Sequence, residues 1–171
     1  LQKEMITVRS KYILRGHLVI YLLVLIWWIV FKLDLPSKVV FFQERRLNLI
    51  PFSEIMKAGM LWDVILNFLV FIPFGLLTAS LSKPWKERKG LLYACIVSLI
   101  FEASQYIFAI GACDTTDVVT NTLGAGVGIV LFKVLIRICR KKEKAEAFLV
   151  WFGGLCGIGI LSFCIRIAIT F

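Results

Sequence analysis

Glu102 and Asp117 demand an explanation first, because each stands within or beside a long apolar run. A carboxylate in hydrocarbon must be protonated, paired with a cation or wetted, and by default marks a functional site. Ser98, Glu102 and Gln105 follow at i, i+4 and i+7, which on a helix is a single polar stripe. Asp63 and Asn67 lie one helical turn apart, while Asp117, Asn121, Gly124 and Gly128 share a face. If the chain does chemistry, Glu102 and Asp117 are its candidate acid and base. Ser98 is one turn from Glu102 but has no His or Lys at its depth to activate it. The residues show no nucleophile–base pair, metal-ligand set or phosphate loop, and they imply neither cofactor nor metal.

The elements that position these groups follow from the composition. Of 171 residues, 60% are apolar and mean hydropathy is +0.88, beyond the roughly 45–50% apolar share of soluble domains. One core of this size could not hide that much apolar surface, so lipid is the main solvent. The net charge of +9 then points to cytoplasmic loops and anionic lipid rather than to nucleic acid. The five cysteines form no CxxC pair and favour neither a disulfide framework nor a metal site. The basic start resembles a signal peptide, but no small-residue cleavage site follows before Lys32, Asp34 and Pro36, so an uncleaved anchor is expected.

Five runs, 17–35, 61–81, 90–110, 117–138 and 147–168, are long enough or nearly so to cross about 30 Å of hydrocarbon at roughly 1.5 Å per residue. The expected fold is therefore an all-α membrane protein, a five-helix bundle forming a single membrane domain. Lys3, Arg9, Lys11 and Arg15 precede the first run. Lys83, Lys86, Arg88 and Lys89 lie between the second and third, and Arg137, Arg140, Lys141, Lys142 and Lys144 between the fourth and fifth. The positive-inside rule places these basic loops and the N-terminus in the cytoplasm and the C-terminus outside. The stretch 39–60 mixes aromatics and charges around Pro51, as an interfacial or re-entrant segment would. Gly153, Gly154, Gly157 and Gly159 suit close helix packing, as does the GxxxG of Gly124 and Gly128. Trp27, Trp28, Trp62 and Trp151 fall near boundaries, where tryptophans anchor a helix.

With these directions, Asn67 lies roughly 9 Å below its outer helix end, Glu102 about 12 Å and Asn121 about 6 Å. Three separate crossings thus bring polar groups to one layer of the outer leaflet. Two readings of that layer remain open. In one, Asn67, Gln105 and Asn121 are interhelical glue, and Arg45 or Arg46 folds back to pair with a carboxylate for structural reasons alone. In the other, the layer lines an outward-opening pocket.

Four pieces carry a family resemblance. They are Arg45-Arg46-Leu-Asn48-Leu-Ile-Pro51-Phe52, Asn67 followed by Phe71-Ile-Pro73-Phe-Gly75, Glu102-x-x-Gln105, and Asp117-x-x-x-Asn121-x-x-Gly124. In this order they resemble the VanZ-like family, over roughly 17–138, with the run 147–168 as an additional C-terminal helix. Where many relatives have an Arg in the turn before the Asp, this chain has Ile110-Gly111-Ala112-Cys113. The resemblance implies a multi-pass protein of the plasma membrane of Gram-positive bacteria, linked to resistance to the lipoglycopeptide teicoplanin. Its expected ligand-binding set is Arg45, Arg46, Asn48, Asn67, Glu102, Gln105, Asp117 and Asn121. Its expected partners are membrane lipids and a lipoglycopeptide antibiotic or lipid-linked wall precursor. A membrane enzyme acting on a lipid-linked substrate through Glu102 or Asp117, and a purely structural membrane subunit, are the alternatives.

Overall fold

The computed structural model describes residues 2–30, 45–53, 60–82 and 88–170. Among them, α1 (Gln2–Leu25) runs on into a π-helical turn, Ile26–Val30. It is followed by β1 (Arg46–Asn48), α2 (Met60–Leu81), α3 (Arg88–Phe108), β2 (Ala112–Asp114), α4 (Thr115–Cys139) and α5 (Lys142–Thr170). Arg9–Val30, Leu61–Leu81, Lys89–Phe108 and Thr115–Cys139 are each long and apolar enough to cross a membrane. The chain is an all-α membrane protein, with two three-residue strands at one end of the bundle.

The observed helices extend beyond the apolar runs. α1 begins at Gln2, ahead of residue 17, because the preceding Lys, Arg, Met and Leu residues are good helix formers that hydropathy alone does not register. Residues 31–35 of the first expected run lie outside the described residues. Of the stretch 39–60, residues 45–53 and Met60, the first of α2, are described: β1 pairs with β2 at the end of the bundle.

α2 and α4 form the most extensive helix contact and run in the same direction. Glycine makes that contact possible. A Cβ built on Gly124 would overlap the Phe68 carbonyl oxygen, one on Gly128 the Ile72 carbonyl oxygen, and one on Gly75 the Ala125 carbonyl oxygen. Small residues let backbones approach where lipid supplies no hydrophobic drive to bring helices together. The α5 glycines behave differently. Gly153 packs against the His17 ring, whereas Gly154, Gly157 and Gly159 have open space where a Cβ would stand.

Apolar side chains fill the remaining volume in two clusters. Leu25, Ile29, Val30, Phe71, Phe74, Ala94, Phe101 and Ala125 pack in the half nearer the strands. Leu14, Ala79, Ile129, Phe132, Ala145 and Leu149 pack in the other half. The Tyr21 hydroxyl donates to the Val70 carbonyl and ties α1 to α2. At the end away from the strands, Lys142 Nζ donates to the Ser82 carbonyl at 2.7 Å and lies 3.7 Å from the buried Glu146 carboxylate.

α3 ends in a Schellman motif: the Ile110 N–H donates to the Gln105 carbonyl at 3.1 Å and the Ala109 N–H to that of Tyr106 at 3.3 Å. The αL position is filled by Ala109, φ 48°, where glycine is usual. The chain then turns sharply into β2, which pairs in parallel with β1 in the register Arg46–Ala112, Leu47–Cys113 and Asn48–Asp114.

The glycine seam sets an expected outcome. Gly124→Ala should lower the thermal stability of the detergent-solubilised protein, at a cost of about 1–3 kcal/mol for overpacking. Gly157→Ala, with nothing within 4 Å of the new methyl, should melt like the wild type. Equal melting of the two variants would refute a backbone-to-backbone contact between α2 and α4.

Candidate functional site

The site is built around Asp114, the last residue of β2 and the N-cap of α4. Its Oδ1 accepts from the Thr116 N–H at 2.7 Å, satisfying one of the free N–H groups at the helix start. Its Oδ2 accepts from Asn48 Nδ2 at 3.1 Å. Its own N–H donates to Glu102 Oε2 at 2.7 Å. One residue therefore ties α3, α4 and the returning segment 45–53 together.

Asn48 fixes that returning segment. Its Oδ1 accepts from the Ile50 N–H at 3.2 Å and the Ser53 hydroxyl at 3.0 Å, an Asx-type turn that folds the chain after β1. The Thr115 hydroxyl donates to the Asn48 carbonyl at 3.2 Å, and the Phe52 N–H to the Thr116 hydroxyl at 3.0 Å. Phe52 itself sits at φ 61°, an αL position held by this last contact. The sequence readily shows Asn48 as polar, but not that its partner is Asp114.

Beside this knot lies a cavity of about 400 Å³. Its walls come from Trp28 and Ile29 at the π-helical turn, Asp63, Val64, Leu66 and Asn67 on α2, Gln105 on α3, and Ala112, Asp114, Thr116 and Asp117 around the start of α4. π-helical turns often occur at functional sites, and this one presents its Ile29 carbonyl to Gln105 Nε2 at 3.0 Å. That bond orients the amide: a carbonyl can only accept, so the nitrogen faces Ile29 and Oε1 points elsewhere.

The eight expected ligand-binding residues fall into groups. Asn67, Gln105 and Asp117 line the cavity. Glu102, 2% exposed, is not on its wall; it holds Asp114 from behind, with Oε1 unpartnered among the described residues. Asn121 is buried deeper and donates through Nδ2 to the Ser98 hydroxyl at 2.8 Å, a buried interhelical pair. Asn48 belongs to the turn rather than to the wall. The Arg45 guanidinium carbon lies 5.8 Å from the centre of the Tyr106 ring, a cation–π distance, and Arg46 opens β1. Glu102 Oε2 accepts from the Asp114 amide.

Residue-by-residue reading missed Asp114, Trp28 and Ile29. An Asp directly ahead of Thr-Thr-Asp and an apolar run is a helix-start signal, so Asp114 could have been found. The π-helical turn leaves no such mark. Trp28 lines the cavity, whereas Trp62 and Trp151 are exposed at 68% and 76%, as anchoring tryptophans would be.

An apolar bundle with a small, acid-rich cavity at one end defines a multi-pass membrane protein. The chain belongs to a known family of such proteins: the model described as VanZ/LLP1 matches residues 18–137. It is also similar to "Protein VanZ" of Enterococcus faecium, 36% identical over 163 residues that cover 95% of this chain and 99% of that protein. No solved structure matches it.

Two outcomes follow from the knot. Glu102→Leu leaves the buried Asp114 N–H without an acceptor, at a cost of roughly 1–3 kcal/mol, whereas Glu102→Gln keeps an oxygen there. Because Glu102 acts through Asp114, Glu102→Leu and Asp114→Ala should be non-additive in a double-mutant cycle read by thermal melting; additive losses would separate the two. The second outcome concerns Cys113. Burial, followed by the charges of Glu102, Asp114 and Asp117, holds its thiol above the ordinary value. A raised thiol leaves less thiolate at neutral pH. In a variant keeping Cys113 as its sole cysteine, alkylation should be slow at neutral pH and rise later on an alkaline titration than for an exposed cysteine. Adding Asp117→Asn should speed it; an unchanged rate would remove Asp117 from the field around the strand.

Proposed function

We propose that this VanZ-type protein binds a cell-envelope amphiphile in the cavity beside Asp114, and that binding underlies a role in teicoplanin resistance. The supporting observation is the convergence of Asn67, Gln105 and Asp117, from three helices, on one cavity. A volume of about 400 Å³ falls in the usual range for small-ligand sites. It suits one end of a lipoglycopeptide or lipid-linked wall precursor, not a whole molecule. The basic residues cluster toward the end of the bundle away from the strands, among them Arg9, Lys11 and Arg15 of α1 and Arg137, Arg140 and Lys141 around the α4–α5 turn. We therefore orient that end to the cytoplasm, which opens the cavity to the outside of a bacterial plasma membrane. Binding is preferred to catalysis because Glu102, the better buried carboxylate, stands behind Asp114 and off the cavity wall.

Deleting the gene should increase susceptibility to teicoplanin more than to vancomycin. Wild-type protein should restore resistance, and Asn67→Leu, which replaces a polar wall group with an apolar one of similar size, should fail to restore it at equal protein level by immunoblot. Full restoration by Asn67→Leu together with Asp117→Asn would reject the cavity as the functional site.

A further inference from the structure

Three buried oxygens, Glu102 Oε1, Gln105 Oε1 and Asn121 Oδ1, have no hydrogen-bond partner among the described residues. With Glu102 ionised, all three can only accept. A buried polar atom without a partner costs free energy, so this layer is short of donors.

Two of the three are close along the chain. Glu102 and Gln105 are i, i+3 neighbours on one face of α3, 2% and 6% exposed. Both reach the segment 111–114. Glu102 Oε2 accepts from the Asp114 N–H at 2.7 Å, and a Cβ built on Gly111 would stand 3.4 Å from the Gln105 amide carbon and nitrogen. Each head group therefore has one atom committed and one oxygen idle. Gln105 cannot mend this by turning its amide. Its Nε2 already donates to the Ile29 carbonyl at 3.0 Å, and a turned amide would set two acceptors against each other.

We infer that Glu102 holds a proton on Oε1 at neutral pH and donates it to Gln105 Oε1, which makes Glu102 a positioning residue for the cavity wall. One added hydrogen satisfies two idle oxygens. A neutral carboxyl still accepts through Oε2, so the Asp114 contact is kept. The donors then run from Glu102 to Gln105 to Ile29, linking α3 to the π-helical turn that carries Trp28. When the proton leaves, the carboxylate can only accept, and Gln105 Nε2 is the donor at hand. The amide turns to Glu102, the Ile29 carbonyl loses its donor, and the wall beside Trp28 loosens.

The titratable groups nearest Glu102 are Cys113 and Asp114 of β2 and Asp117 of α4; both Asp114 oxygens are already hydrogen-bonded. Asp63 of α2 lines the cavity, Tyr21 of α1 is committed to Val70, and Arg46 opens β1 after Arg45, which lies over Tyr106. The turn Ile26–Val30 brings no titratable group. The Cys113 thiol titrates on the alkaline side, where Glu102 has released its proton and its charge reaches the thiol.

The test is infrared difference spectroscopy on the purified full chain reconstituted in lipid films. At neutral pH the wild type should show a protonated-carboxyl C=O band that Glu102→Gln lacks and Asp117→Asn keeps, and the band should vanish as the pH is raised. Gln105→Leu, which removes the acceptor, should move the band to higher frequency; that shift also serves if Glu102→Gln does not fold. The wall is read separately, from the fluorescence of a variant keeping Trp28 as its sole tryptophan. Its emission should change with the same pH midpoint as the band. Adding Glu102→Gln should flatten the profile, because the new amide donates to Gln105 Oε1 at every pH. A merely structural Glu102 would give no pH response in either background. Absence of a Glu102 band at neutral pH overturns the proton. A band moved by Asn121→Leu but not by Gln105→Leu, or Trp28 emission indifferent to pH, overturns the link to the wall. Neither wall state requires an occupant, so the Asn67→Leu resistance assay still decides separately whether the cavity is the functional site.

Discussion

The architecture of the site depends on one carboxylate with both oxygens occupied. Asp114 caps α4 through Oδ1, holds Asn48 through Oδ2, and is itself held by Glu102 through its backbone N–H. Each bond would be modest in water, where a typical intramolecular hydrogen bond nets about 0.5–1.5 kcal/mol. At the end of an apolar bundle the comparison changes, because an unmade bond leaves a polar group facing hydrocarbon. The three bonds therefore fix geometry more than they add stability. The Glu102 contact holds the turn after α3 beside the strand pair and the cap of α4.

That knot works only because the bundle beneath it is rigid. Parallel helices α2 and α4 are joined through α3, and the glycine seam of Gly75, Gly124 and Gly128 brings their backbones into contact. Asp63 and Asn67 on α2 and Asp117 on α4 are thereby held across a narrow gap. The Asn121–Ser98 pair crosses from α4 to α3 just below, and the Phe71, Phe74 and Phe101 rings pack under it, with centroids 5.7 and 6.5 Å apart in successive pairs. Polar floor and aromatic plug together set the depth of the cavity.

Much of the fold was legible because its signals are periodic or bulky. Apolar runs locate the helices, and the 98–102–105 spacing puts three buried side chains on one face of α3, with exposures of 0%, 2% and 6%. The GxxxG at Gly124 and Gly128 announces a close helix contact, and the structure has one. The glycines of α5 look equally suggestive in the sequence, yet three of them face open space; spacing identifies a face that can pack, not the partner it meets. The division of the polar layer was not legible. Depth along a helix is readable at about 1.5 Å per residue, but rotation about the axis relative to neighbours is set by packing. Whether Asn67 reaches a cavity and Asn121 a serine is decided there. Parallel pairing of β1 with β2 joins residues 66 positions apart, which no local pattern encodes.

The shape of the site bears on what kind of membrane protein this is. Transport needs a binding site near the bilayer midplane that two halves of the protein can open alternately. Here the polar layer lies at one end, ends at Ser98 and Asn121, and gives way to phenylalanines and to Ala94 and Ala125 beneath. On the proposed reading, a cavity plugged below would admit and release its occupant from one face of the membrane. Such a site would hold or present the proposed amphiphile rather than carry it across.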